Sequence, residues 1–239
     1  MRKRMLGIVA LTIFAEMVAP SAMPPASPAQ TAKTPYPTMA AVHQYLSPDD
    51  DTEIALARSA APKSISDGAK ILVLGRAGYK TAVEGGNGFV CLVQRSWTAG
   101  IDDPDFWNPK LRAPNCFNPP AVRTYVPIIL LKTRLVLAGK SKSEMFQAVA
   151  SALDSKELLP PEPGAMTYMM SKQQYVSDEG KSWHPHLMFF VPRTAAEGWG
   201  ANLPGSPIIA ADDPEDRLTV FLIPVRRWSD GTADPPAPN

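Results

Sequence analysis

Cys91 and Cys116 are the whole cysteine complement of this 239-residue chain, and a bond between them would pin the middle of the fold. An even pair closing a loop of about 25 residues reads as one disulfide, stabilising by about 3–4 kcal/mol in an oxidising compartment. The rival reading has Cys91 buried in a strand and Cys116 free in a loop. Two cysteines are too few for a Cys-based zinc site. Around them the chain is 45% apolar and 20% charged, enough to bury a core, so wholesale disorder is excluded. The formal net charge of +1 offers no basic excess for an electrostatic nucleic-acid binder.

The N-terminus agrees with export. Arg2, Lys3 and Arg4 form a basic region, and Leu6 to Ala15 form an apolar run that Glu16 stops. That run is too short for a membrane span of roughly 20 residues, so 1–22 reads as a secretory signal peptide. Its removal leaves 21 basic and 22 acidic residues, no lever on a partner, and no stable transmembrane span. Periplasmic or secreted placement follows.

Prolines mark the ends of the folded part. Residues 23–37 are a Pro-rich linker and 229–239 a flexible tail, leaving 38–228 as a single domain. Within it, 39–46 reads as a short helix and Ser47 as the N-cap of a helix that Pro62 ends. Three strands follow as a meander, at 70–75, 78–84 and 88–95, with Gly85 to Gly88 as a hairpin turn. A phosphate loop is excluded there, because the Lys-Ser/Thr ending and the following helix are missing.

Residues 97–118 read as a long irregular segment. Asn118-Pro119-Pro120 caps a helix to Ala138 that Pro127 kinks, and Ser141 with Glu144 matches a capping box for a helix to Leu158. Strands return at 165–170, 186–191 and 217–225. The expected fold is therefore α+β: a mostly antiparallel sheet of about six strands, with three or four helices on one face and one disulfide.

Several strings, NGFVCLVQRSW (87–97), EPGAMTYMMSKQ (162–173), WHPHLMFFVP (183–192), WGANLPGSP (199–207) and LTVFLIPVRRWSDG (218–231), together resemble a group of exported bacterial proteins. The resemblance spans about 48–231. It implies export and a common fold, and since no activity is assigned to that group it carries no catalytic residues over.

The most distinctive local chemistry is His184-Pro185-His186-Leu187-Met188. On an extended strand alternate side chains share a face, so His184, His186 and Met188 could point the same way. Imidazole plus thioether is a soft ligand set suited to copper or zinc. Against this stand Pro185, which breaks strand geometry, and the habit of Met to fill cores. His186 is also the candidate acid–base group of a hydrolase, in which Ser171, His186 and Asp178 would have to meet.

Trp97, Phe106 and Trp107 with Asp102, Asp103 and Asp105 could stack on and bind a sugar, or simply cover the sheet and cap turns. Residues 212–216 read as a solvated acidic turn. The leading expectation is a non-enzymatic exported binding or envelope-associated protein, whose partner is a small molecule or an envelope component. A copper- or zinc-handling protein and a secreted hydrolase are the alternatives.

Overall fold

The computed structural model describes residues 35–235, so the expected signal peptide and all but the last three residues of the 23–37 linker lie outside the described residues. The strands are β1 (Lys70–Gly75), β2 (Gly78–Val83), β3 (Val90–Gln94), β4 (Ala113–Phe117), β5 (Met166–Met169), β6 (His186–Pro192), β7 (Ile209–Asp213) and β8 (Leu218–Pro224). The helices are α1 (Asp50–Arg58), α2 (Lys63–Ser66), α3 (Pro119–Thr124), α4 (Val126–Leu137) and α5 (Lys142–Asp154). Among the described residues the strands make one sheet, ordered β2-β1-β3-β4-β5-β6-β8-β7. Only β1 and β3 pair in parallel. The α+β class and the largely antiparallel pairing hold, but the sheet has eight strands, not about six. Counting α3 and α4 as one broken helix, the helices among the described residues number four.

The two extra strands are β4 and β7. β4 reads APNCF, where Pro114 and Asn115 are poor strand formers, and β7 reads IAADD, whose acids resemble a turn. Cys116 is therefore a strand residue. It stands directly opposite Cys91 in the β3–β4 register and is bonded to it, which removes the reading of a free Cys116 in a loop. The glycine-rich link is not a hairpin turn either, because it carries β3 past β2 to the far side of β1. Gly85 is required there, since a Cβ would fall 2.1 Å from the Lys70 amide nitrogen.

Helices cover both faces rather than one. All five residues of β3 are buried, because its alternate side chains meet different partners. Cys91 and Val93 pack with Ala57 and Ala60 of the α1 segment, while Val90 and Leu92 pack with Val126 and Ile129 of α4. Arg95, beyond β3, turns toward α1 and donates to both Glu53 carboxylate oxygens, at 2.8 and 2.9 Å. Asp49, not Ser47, caps α1, accepting from the Thr52 amide at 2.7 Å, while Ser47 hydrogen-bonds Glu53. The Ser141–Glu144 capping box forms as expected. The long helix breaks at Tyr125, two residues before Pro127, which lacks the N–H to continue it.

Residues 95–112 are irregular but anchored. Trp97, Phe106 and Trp107 are buried with Met145 and Phe146 of α5, and Trp97 Nε1 donates to Thr133 of α4 at 3.0 Å. These aromatics are core, so they offer no face to a sugar. Asp216 is likewise not solvated. Its carboxylate is 1% exposed and takes a 2.6 Å bond from the equally buried Lys132 of α4. Part of the expected tail is also paired: Ser229 N–H donates to Met170 O at 3.0 Å and Asp234 N–H to Arg226 O at 2.9 Å.

Candidate functional site

The register places one set of side chains on the sheet face toward α3–α5. Gln94 of β3 neighbours the Asn115 position of β4, then Thr167 and Met169 of β5, Met188 and Phe190 of β6, and Val220 of β8. In this phase the alternation Val90, Leu92, Gln94 should end on an apolar residue; it ends on an amide instead. Asn115 Nδ2 donates to Gln94 Oε1 at 2.7 Å, and Thr167 Oγ1 donates to Asn115 Oδ1 at 3.2 Å. The result is a polar ladder across three strands. Gln94, Asn115 and Thr167 are 6%, 0% and 0% exposed, and each satisfies the next, as buried polar groups must.

Beyond the end of the helical cover lies a cavity of about 240 Å3. Gln94, Asn115, Met169, Met188, Phe190 and Val220 make its floor. Ser96, Thr98, Asp103 and Leu111 of the irregular segment roof it, with Val176 from the loop after β5. Tyr125, at the α3–α4 break, closes one side and stacks on Phe190 with ring centroids 3.9 Å apart. Burial, with the charges of Asp216 and Asp213, pushes the pKa of its hydroxyl well up, so it stays a phenol. Ser96 is fully buried, and its Oγ has no hydrogen-bond partner among the described residues. Arg95 also borders the cavity, but Glu53 and the carbonyls of Tyr45 and Val93 occupy its guanidinium.

The roof is latched from outside. The Asp178 carboxylate takes hydrogen bonds from Tyr36, Tyr175, Asn108 and Lys110, which joins the N-terminal arm and both roof segments. These donors hold its pKa well below the usual carboxylate range, Tyr175 and Tyr36 first. Arg112 and Tyr175 exchange two backbone hydrogen bonds of 2.8 Å beside the latch.

Of the histidine cluster, Met188 lines the cavity and His186 lies on the same strand face, opposite Met169. His186 is 3% exposed and its Nδ1–H donates to the His184 carbonyl at 2.7 Å. Burial lowers its pKa below the ordinary value of 6.5, helped by His184 and opposed by that hydrogen bond. His184 precedes the strand and is half-exposed, with Nδ1 2.6 Å from Asp234 Oδ2. The Trp183 ring lies against both imidazoles, its centroid 5.9 Å from His184 and 4.7 Å from His186. Among the described residues no group of three His, Cys, Asp or Glu side chains converges as a metal cluster.

Among the described residues no hydrogen bond joins Ser171, His186 and Asp178. Ser171 Oγ is 2.6 Å from Ser59 Oγ, Asp178 is held in the latch, and His186 Nδ1 is committed to a carbonyl. Ser96 is no substitute, because three strand spacings, about 14 Å, separate β3 from β6.

Sequence reasoning found Met188 through alternation and named Ser96 only as a candidate nucleophile, but missed Gln94, Asn115, Tyr125 and Thr167. The one available signal was an amide in an apolar phase of β3. Among the described residues no helix is long and apolar enough to cross a membrane. No family model, curated protein or solved structure matches this chain.

Proposed function

We propose that this chain is an exported, non-enzymatic protein that binds a small molecule in the cavity between the sheet and its roof. The observation that carries this reading is the cavity lining: an apolar floor of Met169, Met188, Phe190 and Val220 beside the fixed amides of Gln94 and Asn115. Binding sites for small molecules have this composition, in which apolar surface supplies affinity and few polar atoms supply orientation. Export is supported by the basic and apolar N-terminal segments and by the disulfide.

The test is thermal unfolding of the oxidised protein against a library of small molecules. A ligand that binds only the folded state, at 100 times its dissociation constant, stabilises by about 2.7 kcal/mol. The shift should vanish in Val220→Phe, which fills the floor. A shift that persists in that variant would place binding elsewhere.

A second reading, copper or zinc handling by His184, His186 and Met188, draws on one observation. Both histidines spend Nδ1 on a protein acceptor, which leaves Nε2 as the ligand atom, the arrangement usual for metal-bound imidazoles. Unfolding with Cu(I), Cu(II) or Zn(II) separates the readings. A metal-dependent shift lost in His184→Ala/His186→Ala supports metal handling, and no shift with any of the three ions discards it.

A further inference from the structure

We infer that the cavity floor ends in a site for a soft monovalent metal ion, copper(I), held by the Met169 and Met188 thioethers and the His186 imidazole. The inference rests on the metal-handling reading above, exchanges one of its ligands and names its ion.

The placement comes from the strand register. Met169 of β5 stands directly opposite His186 of β6. Side chains of such a pair share a sheet face, with Cβ atoms about 4.5–5.5 Å apart. Met188 lies two residues along β6 and therefore on the same face. Both methionines line one cavity, and three rotatable bonds let each thioether turn toward a common point.

The imidazole is oriented for a ligand role. Its Nδ1–H is held by the His184 carbonyl at 2.7 Å, which leaves the Nε2 lone pair without a hydrogen-bond partner among the described residues. His184 supplies that carbonyl and not a ligand atom. Its own ring is bound to Asp234 Oδ2 at 2.6 Å and lines a different cavity, of about 600 Å3, beside Arg226 and Arg227. Two guanidinium groups there would repel a cation.

Donor chemistry then selects the ion. Two thioethers and an imidazole are neutral and soft, and none is a thiolate or carboxylate of the kind that completes zinc sites. His186 and Met169 are 3% and 5% exposed. A divalent ion taken among them would lose its hydration with no balancing charge, a cost that grows with the square of the charge. Copper(I) is soft and monovalent, and it meets both conditions.

The probe is silver(I), a redox-stable ion of the same charge and softness, titrated calorimetrically into the oxidised full chain in chloride-free buffer. Cys91 and Cys116 are bonded to each other, so no thiol competes for it. One equivalent should bind, and Met169→Leu, Met188→Leu and His186→Gln should each weaken it by about tenfold or more. Leu and Met fill similar volumes, so a loss in those two variants is read without a core defect. His184→Gln keeps the backbone carbonyl and should leave the affinity unchanged. Silver(I) binding that survives Met169→Leu but is lost in His184→Gln overturns this ligand set and leaves the metal-handling reading. Zinc(II) bound more tightly than silver(I) overturns the ion class alone. No binding of silver(I), copper(II) or zinc(II) overturns both.

Discussion

Lys132 and Asp216 make a costly arrangement, an ion pair buried on both sides. Each is 1% exposed, their charged atoms are 2.6 Å apart, and Asp216 Oδ1 has no further partner among the described residues. The Lys132 ammonium also lies 4.8 Å from the centre of the Phe146 ring. Burial outweighs the attraction of Lys132 and pushes the Asp216 carboxyl up to about 6. A buried pair broken on one side strands the other charge. Lys132→Met should therefore lose about 3–5 kcal/mol of unfolding free energy in urea, and Lys132→Met/Asp216→Leu should recover most of it. A double variant as unstable as the single one would show that the pair itself stabilises.

His186 titrates in the opposite sense to Asp216. Its folded pKa is lowered, so the folded chain keeps it neutral while the unfolded chain binds a proton near 6.5. Its contribution is whole above that pH and falls as the pH drops toward the folded value. Asp216, with a raised pKa, adds stability over the same acid range, so a single pH curve mixes the two. The difference in unfolding free energy between the unmutated protein and His186→Gln isolates the histidine, and it should shrink from pH 7.5 to pH 5. A difference that grows on acidification would mean that His186 is charged in the fold.

Among the elements, the roof of the cavity is held by few groups. Its aromatics anchor it to α4 and α5, while its other edge depends on the Asp178 latch and the two Arg112–Tyr175 backbone bonds. Latch groups at the surface contribute little to global stability but much to local order. Asp178→Ala should speed amide hydrogen exchange at 108–112 and 174–178 with almost no change in melting temperature. Equal protection in both proteins would show that the backbone pairing alone holds the roof.

What the sequence made legible is also a matter of elements. β1, β3, β6 and β8 are apolar or alternating runs, and the Ser141–Glu144 box marked α5 at its start. β4 was hidden because its place in the sheet rests on long-range partners, the Cys91 bond and the Gln94–Asn115 amide contact, and not on its own propensity. The parallel β1–β3 pair was hidden for a related reason: local order favours a meander, and only the close approach of Gly85 to Lys70 shows the chain passing over β1. The cavity residues come from β3, β4, β5, β6, β8 and the α3–α4 break, so no local window contains them. Met188 was visible, because alternation on one strand is a local signal.

At the scale of the whole molecule, the fold is a sheet with covers of unequal extent. α1 and α2 back one face near β1, β3 and β4, α3–α5 cover the other, and Trp199 shields the far strands by stacking on Phe221 at 4.5 Å. The cavity lies where the α3–α5 cover gives way to the irregular roof. It is there that the sheet face changes from Val90 and Leu92 to Gln94 and Asn115. A purely structural face would have continued apolar. The polar ladder instead fixes its side chains by hydrogen bonds beside the irregular roof segment.

The methionines of the floor make binding in the cavity directly measurable. With the methionine methyl groups labelled with carbon-13 and a small molecule that stabilises the oxidised protein in the unfolding screen added, Met169 and Met188 should shift saturably in methyl NMR spectra. Met145, buried in the separate aromatic cluster beneath the roof segment, should stay in place. Saturable shifts at Met169 and Met188 alone would establish the cavity as a binding site. Shifts that never saturate, or that appear equally at Met145, would contradict the account.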